Sequence, residues 1–254
     1  MKSSWQRFKH EPGGSAVHPG APDRLDLRAR ISELIPKIGI HVRKTLNIMF
    51  DLDGTLTDSR AGILRTIRHA LRLVGFEPPY DEDLLWCIGP PLQDVFARLL
   101  PKGDPAIIEQ AVSAYVERYD LVGYRENRVY DGVPAMLERL GVNRQLIVVT
   151  AKRQQIAENI LEFFDLCSYF KVVFGSERSG RFGDKSELVR HTIETLGIKR
   201  SETVIVGDRI HDIDAGRNHG LLTIGASWGY GTPEELSGAH HLCQPPLQLV
   251  SLFE

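Results

Sequence analysis

Short apolar runs alternate with helical patterns along most of the chain. Runs typical of buried strands occur at five places, each ending near a polar or glycine-containing turn: TLNIMFDL (45–52), QLIVVT (145–150), KVVFG (171–175), TVIVGD (203–208) and LLTIGA (221–226). Patterns with helical spacing lie between the later runs, at 133–140, 153–164, 186–197 and 212–219. Repeated β-α units with short connections predict an α/β fold, a Rossmann-like parallel sheet with helices on both faces.

One long stretch interrupts this alternation. Helical patterns at 61–74, 83–100 and 105–122 follow one another with no strand between them. We therefore predict an α/β core at 45–58 and 129–254, with an inserted α-helical cap at 59–128. Residues 1–44 form an N-terminal extension that starts with a polar, Pro- and Gly-rich segment, for which we expect flexibility, and contains a short helical pattern at 24–38.

Composition and charge narrow the classes of function. The chain has 254 residues, of which 42% are hydrophobic and 25% charged, and its formal net charge is -2. A nearly balanced charge gives no global field that would attract a nucleic acid polymer or an anionic membrane. The three cysteines lack the spacing of a metal site, which favours reduced thiols, and no apolar run approaches the ~20 residues of a membrane span. We expect a cytoplasmic protein, with its oligomeric state left open.

Polar residues follow several of the predicted strands. Asp51 and Asp53 end the first strand, Thr150 ends the second, and Asp208 ends the fourth, while Lys185 begins the helix before that fourth strand. Ligands of open parallel sheets bind beyond the carboxyl ends of the strands, so these groups are predicted to share one edge. Three carboxylates, a hydroxyl and an ammonium suit phosphoryl transfer, since a carboxylate can attack phosphorus and a cation can neutralise its oxygens.

The segment FDLDGTLTDS has the form D-x-D-G-T and resembles the first motif of the haloacid dehalogenase superfamily phosphatases. The resemblance implies that Asp51 attacks phosphorus and that Asp53 protonates the leaving oxygen and then activates water. It also implies that Gly54 allows a tight turn around the phosphate, and that Thr55 and Ala151 contact the substrate.

Two further elements of the superfamily pattern follow in order. Thr150, in VVTAK, is expected to bind a phosphoryl oxygen, and Lys185, in RFGDKSELV, to offset the charge of phosphate and carboxylates, although Ser186 stands where the family often has proline. Lys171 competes with Lys185 but precedes a strand and is poorly placed. Lys152 is predicted to be a solvated lysine at a helix start, with a contact to substrate as the alternative.

The segment VIVGDRIHDIDAG resembles the magnesium motif of the superfamily. Asp208 and Asp212 offer the hard oxygen ligands that Mg²⁺ takes, and together with Asp51 and Asp53 they form the predicted metal set. Asp208 is expected to ligate directly. Asp212 is expected to act either through water or by orienting Lys185.

The helical block resembles the cap of the phosphoglycolate phosphatase-like branch. Within it, CIGPPLQDVF resembles the substrate-specificity loop, where Gly89 and Pro90 form part of a stiff turn. Arg125 is a candidate for gripping a charged part of the substrate, with a solvent-exposed linker arginine as an equal alternative. The segment SWGYGTPEEL is predicted to frame the site or to cap a helix through Thr232.

The resemblance therefore implies a Mg²⁺-dependent phosphatase that hydrolyses a small phosphorylated metabolite through an aspartyl-phosphate intermediate. Phosphoglycolate is the first expectation, and a 5′-nucleotidase or a phosphomutase is the alternative; GSERSGRFGDKSELV looks nearer the nucleotidase-like members. A non-catalytic binding module is the remote alternative. Asp53 argues against a dehalogenase, and Lys102, in a predicted turn, is a poor Schiff-base lysine for a phosphonate hydrolase.

Overall fold

A six-stranded parallel sheet lies at the centre of the protein. The computed structural model describes residues 45–101 and 104–254, so the predicted extension 1–44, its helix at 24–38, and Lys102 lie outside the described residues. The strands are β1 (Asn47–Phe50), β2 (Thr57–Asp58), β3 (Arg128–Val129), β4 (Gln145–Arg153), β5 (Val172–Ser176), β6 (Thr203–Gly207), β7 (Leu222–Ala226) and β8 (His241–Cys243). All but β2 and β3 belong to the sheet.

The strand order places the first strand in the middle. The order is β5-β4-β1-β6-β7-β8, and every neighbouring pair is parallel. The chain winds outward from β1 to β5 on one side and then crosses back to build β6, β7 and β8 on the other side. The winding therefore changes direction at β1, and the crevice at such a switch point is where open α/β sheets bind ligands.

Helices cover both faces of the sheet, which confirms the predicted fold class. Successive residues of β1 face opposite sides: Ile48 and Phe50 belong to one buried cluster and Met49 to the other. Helices α4, α5 and α9 pack on the first side, and α6 and α7 on the second. The helices are α1 (Arg60–Leu73), α2 (Leu92–Leu99), α3 (Pro105–Leu121), α4 (Val133–Gly141), α5 (Gln154–Phe163), α6 (Lys185–Leu196), α7 (Ile210–Asn218), α8 (Pro233–Leu236) and α9 (Gln248–Phe253).

Helices α1, α2 and α3 form a helical insertion (residues 59–127) between β2 and β3. These two short strands pair antiparallel, so the chain enters and leaves the helical insertion side by side. The helical stretch predicted at 83–100 divides into two elements, a 3₁₀ helix at Asp81–Cys87 and α2, on either side of the predicted stiff turn. The break falls at Gly89, whose φ is +114°, and at the prolines after it, which cannot donate a backbone hydrogen bond.

Two strand predictions also needed correction. Strand β8 was missed because three residues at the edge of a sheet carry no readable period. Strand β4 continues past Thr150 to Arg153, with an irregular register against β5. Lys152 therefore lies at the end of a strand rather than at a helix start. In the described ranges, none of the helices has the length and apolar character needed to cross a bilayer, and the three cysteines are free thiols.

Candidate active site

Asp51 and Lys185 form a buried ion pair at the carboxyl edge of the sheet. Asp51 directly follows β1, and the Nζ of Lys185 lies 2.5 Å from its Oδ1. The same ammonium donates to the carbonyl oxygen of Val149 at 2.9 Å. Asp184 caps α6 by accepting a hydrogen bond from the amide of Glu187 at 2.8 Å. This cap fixes Lys185 as the first residue of the helix, facing the site.

Asp212 holds the ammonium of Lys185 from the other side. The distance from its Oδ1 to Nζ of Lys185 is 2.8 Å, and its Oδ2 accepts from the amide of Arg209 at 3.1 Å. Of the two alternatives for Asp212, the one in which it orients Lys185 therefore has direct contacts behind it. Burial by itself would lower the pKa of Lys185, but attraction to Asp212 and Asp51 outweighs burial and raises it. The lysine therefore stays charged.

Asp208 is fully buried directly after β6, where residues of two loops hold its carboxylate. Its Oδ1 accepts from the hydroxyl of Thr55 at 3.2 Å, and its Oδ2 accepts from the amide of Tyr230 at 2.8 Å. A Cβ atom on Gly54, whose φ is +85°, would lie 2.1 Å from Oδ2 of Asp208. Gly54 and Thr55 hold Asp208 in place, because the loop that carries them folds against it. Their predicted contact with substrate stays a prediction.

Three of the predicted metal ligands come together. Oxygens of Asp51, Asp208 and Asp212 lie within 4.8 Å of one another, and all three residues are buried. Burial first, and then repulsion from Asp51 and Asp212, raises the pKa of Asp208 well above its usual range. A cation among these oxygens would relieve that repulsion. Hard carboxylate oxygens are the donors that Mg²⁺ prefers, so this group fits a magnesium ion.

The side chain of Asp53 lies apart from this group. Its Oδ2 is 2.7 Å from the Nζ of Lys152, and none of the described residues hydrogen-bonds to its buried Oδ1. Its carboxylate is therefore not positioned with the other three predicted metal ligands. The side chain of Lys152 is only 12% exposed. The prediction of a solvated lysine at this position was therefore wrong.

A cavity of about 810 Å³ opens over these groups. Thr150 lines it next to Asp51 and Asp53, and Ala151, Gly89 and Pro90 line it as the substrate-contact predictions require. Much of the remaining wall is apolar or aromatic and comes from the helical insertion and α5: Ile63, Ile88, Leu92, Tyr115, Val116, Tyr119 and Ile156. This apolar and aromatic part of the lining suits an uncharged, partly aromatic group.

Arg125 does not contribute to the lining of this cavity. Its guanidinium lies over the rings of Tyr124, at 5.3 Å, and Phe163, at 5.9 Å, and its Nε donates to the Tyr124 hydroxyl at 2.9 Å. The side chain is thus bound to aromatic rings at the base of the helical insertion. The prediction that Arg125 grips the substrate has no support from this position.

Arg209 is a cationic residue of the cavity lining that was not predicted from the sequence. It lines the cavity, and its Nε and Nη2 each bind a carboxylate oxygen of Glu235 at 3.0 Å. Its Nη1 donates to the carbonyl oxygen of Ile88 in the helical insertion at 3.3 Å. Thr232 caps α8, as predicted, in a reciprocal arrangement with Glu235. The sequence feature that could have identified Arg209 is its position directly after Asp208, in the segment that resembles the magnesium motif.

Comparison of the sequence with known proteins finds a matching family and several similar enzymes. The sequence model of the haloacid dehalogenase-like hydrolases matches residues 48–226. A 5′-nucleotidase of Pseudomonas aeruginosa is 40% identical over 212 residues, which cover 82% of this chain and 95% of that protein. A phosphoglycolate phosphatase of Aquifex aeolicus is 30% identical over 184 residues, which cover 72% of this chain and 85% of that protein.

Solved structures show the same architecture. A haloacid dehalogenase-like family hydrolase from Streptococcus pneumoniae superposes with a TM-score of 0.76 at 25% identity, covering 83% of this chain and 99% of that chain. The structure of protein tyrosine kinase A from Mycobacterium tuberculosis gives a TM-score of 0.68 at 31% identity, covering 82% of this chain and 98% of that chain.

Proposed function

The chain belongs to the haloacid dehalogenase-like hydrolase family and is a phosphatase, and we propose that it hydrolyses 5′-nucleoside monophosphates with the help of Mg²⁺. The observation that carries the choice of substrate is the cavity of about 810 Å³ beside Asp51, whose lining includes apolar and aromatic side chains of the helical insertion. Pockets of about 300–1,000 Å³ with such linings bury most of a drug-sized ligand.

The chemistry follows from the positions of the two first-motif carboxylates. Asp51 attacks phosphorus, and Asp53 gives a proton to the departing ribose oxygen, leaving an aspartyl phosphate on Asp51. Asp53 then takes a proton from a water molecule, whose oxygen attacks the phosphorus and releases phosphate and free Asp51. Asp53 lines the cavity together with Asp51, which supports its assignment to these proton transfers. Lys185 holds Asp51 in place, and the hydroxyl of Thr150 is available to bind a phosphoryl oxygen.

Asp51, Asp208 and Asp212 would hold the magnesium ion. When bound there, Mg²⁺ offsets the negative charge of the phosphate and of the carboxylates, which allows an anionic nucleophile to approach an anionic substrate. The support for this assignment is geometric, because oxygens of these three buried residues lie within 4.8 Å of one another. Lys185 offsets the charge of Asp51 and Asp212 only in part, since the two carboxylates share one ammonium.

A nucleotide suits the cavity better than phosphoglycolate, the first expectation from the sequence. Phosphoglycolate carries a carboxylate close to its phosphate, and so small and highly charged an anion calls for a further unpaired cation. The lysines and arginines that line the cavity are each paired with a carboxylate: Lys152 with Asp53, Arg153 with Asp120, Lys185 with Asp51, and Arg209 with Glu235. Arg125 lies outside the cavity. The helical insertion instead offers rings and aliphatic groups for a ribose and a base. In this proposal the helical insertion acts as a cap that excludes water and selects the leaving group.

The test is release of inorganic phosphate from a panel of 5′-nucleotides, phosphoglycolate, sugar phosphates and an aryl phosphate, with Mg²⁺ and with EDTA. We expect Mg²⁺-dependent turnover and the highest kcat/KM on a nucleotide. Asp51→Asn should abolish turnover in a folded protein, whereas Asp214→Asn, at an exposed carboxylate of α7, should not change it. A higher kcat/KM on phosphoglycolate would overturn the substrate proposal. Full activity of Asp51→Asn would overturn the mechanism.

A further inference from the structure

Lys152 is a nearly buried lysine that the mechanism above does not use. Its ammonium lies 2.7 Å from Oδ2 of Asp53, donates to the hydroxyl of Tyr119 at 3.2 Å, and sits 4.6 Å from the centre of the Tyr119 ring. Burial by itself would lower its pKa, but attraction to Asp53 outweighs burial and raises it. A charged ammonium thus binds one oxygen of the proposed acid–base carboxylate, whose side chain lines the cavity.

The partners of Lys152 come from two parts of the fold. Asp53 follows β1 of the sheet, whereas Tyr119 lies on α3 of the helical insertion and is 3% exposed. The next residue along each segment repeats the link, because Arg153 forms an ion pair with Asp120. Two consecutive residues of β4 therefore bind two consecutive residues of α3. Lys152 is the point where this contact reaches a group that the proposed reaction uses.

A direct contact between Lys152 and the substrate phosphate is less consistent with this arrangement. Two of its three donor hydrogens have partners, and its charge is matched by Asp53. Binding a phosphoryl oxygen would require the lysine to leave that ion pair. The ring of Tyr119 further fixes the ammonium through a cation–π contact, which is worth about 0.5–2 kcal/mol.

We infer that Lys152 is a positioning residue that fixes Asp53 for proton transfer and ties it to Tyr119 of the helical insertion, so that Asp53 is held in place only when the helical insertion lies over the core. This inference rests on the proposed function, since it takes Asp53 as the acid–base group. It assigns no chemical step to the lysine itself. Lys152 should therefore affect the reaction rate only by holding Asp53 in position.

A double-mutant cycle tests that dependence. We expect Lys152→Met to lower kcat/KM on the best substrate by about 10–100-fold, since a small misplacement of a reacting group has effects of that size. In an Asp53→Asn background the same substitution should change single-turnover rates less than about twofold, because residues that act as one unit are not additive. Equal losses in both backgrounds would overturn the inference and indicate direct substrate binding or a general loss of structure.

Three further variants test the hydrogen bond, the charge and the specificity of the effect separately. Tyr119→Phe keeps the ring and removes the hydroxyl that accepts from Lys152 at 3.2 Å and from Asn127 at 3.4 Å. A loss of about 3–10-fold is expected, and it should vanish when Asp53 is Asn. Lys152→Arg keeps the charge and should retain more activity than Lys152→Met; equal losses in two folded variants would contradict the inference. Lys171→Met, at an exposed lysine bound to Gln145, is the matched control and should behave as wild type.

Failure of the inference can be separated from failure of the proposed function. If Asp53→Asn keeps full kcat/KM on the nucleotide, the acid–base assignment itself is wrong, and the inference falls with it. If Asp53→Asn is impaired but Lys152→Met is not, only the inference is overturned. Melting temperatures of all variants show whether each protein is folded at the assay temperature.

Discussion

Replacing Lys185 with methionine tests how the buried carboxylates are held. In the metal-free protein this change keeps most of the side-chain volume but removes the ammonium that binds Asp51 at 2.5 Å and Asp212 at 2.8 Å. At an effective dielectric constant of 20, attractions over such distances are each about 6–7 kcal/mol before desolvation. Desolvation offsets much of this. Removing one partner of a buried pair costs about 3–5 kcal/mol, because an uncompensated charge stays behind.

The expected result is therefore a loss of about 3–5 kcal/mol in the free energy of unfolding of Lys185→Met in EDTA. For a domain of this size each 1 kcal/mol lowers Tm by about 2–4 °C, so the melting temperature should fall by roughly 6–20 °C. Urea denaturation followed by circular dichroism gives the free energy, and an unchanged slope against urea shows that the two end states are comparable. Saturating Mg²⁺ should restore part of the loss, because it replaces the missing positive charge.

Lys199→Met is the matched control for this experiment. Lys199 pairs with Glu202 at 3.1 Å, but its side chain is 74% exposed. Exposed pairs contribute about 0–1 kcal/mol, so this variant should stay within about 1 kcal/mol of wild type. If Lys185→Met loses no more stability than Lys199→Met, the buried network does not hold the carboxylates, and the reasoning is refuted.

Three further results are expected. Burial and neighbouring carboxylates raise the pKa of Asp208. Its ionisation therefore destabilises the metal-free fold as the pH rises from the pKa of Asp208 in the unfolded chain through its raised pKa in the folded protein. The increase in Tm caused by Mg²⁺ should consequently be larger at pH 7.5 than at pH 5.5, and equal increases would contradict this. Gly54→Ala should raise the Mg²⁺ concentration needed for half-maximal activity by about tenfold or more, through backbone strain and the clash with Asp208. Gly75→Ala is its control, because Gly75 has a similar φ of +86° but no atom lies within 4 Å of a Cβ added there. Equal Mg²⁺ titrations of the two variants would count against the reasoning. Arg125→Ala should leave KM unchanged in the same assay, and a large rise in KM would restore Arg125 as a substrate contact.

The sequence by itself determined the framework and the residues at its functional edge. Apolar runs buried on both faces and separated by helical periods specify a parallel sheet, and residues such as Asp51 and Asp208 directly follow strands. These signals are local, because the period of a segment and its terminating residues depend on a few neighbours in the chain. Placing these residues at one edge needs only the rule that parallel strands end together.

The tertiary structure decided which of these groups touch. Lys152 looked like a solvated lysine in the sequence, but α3 covers it and brings Tyr119 against it, while β1 brings Asp53. Arg125 is turned onto aromatic rings, and Arg209 takes the place beside the cavity. Burial, charge matching and hydrogen bonding of these side chains depend on packing between segments that lie far apart in the chain. No local pattern encodes that packing, so only the folded arrangement separates the residues that face the substrate from those that hold them in place.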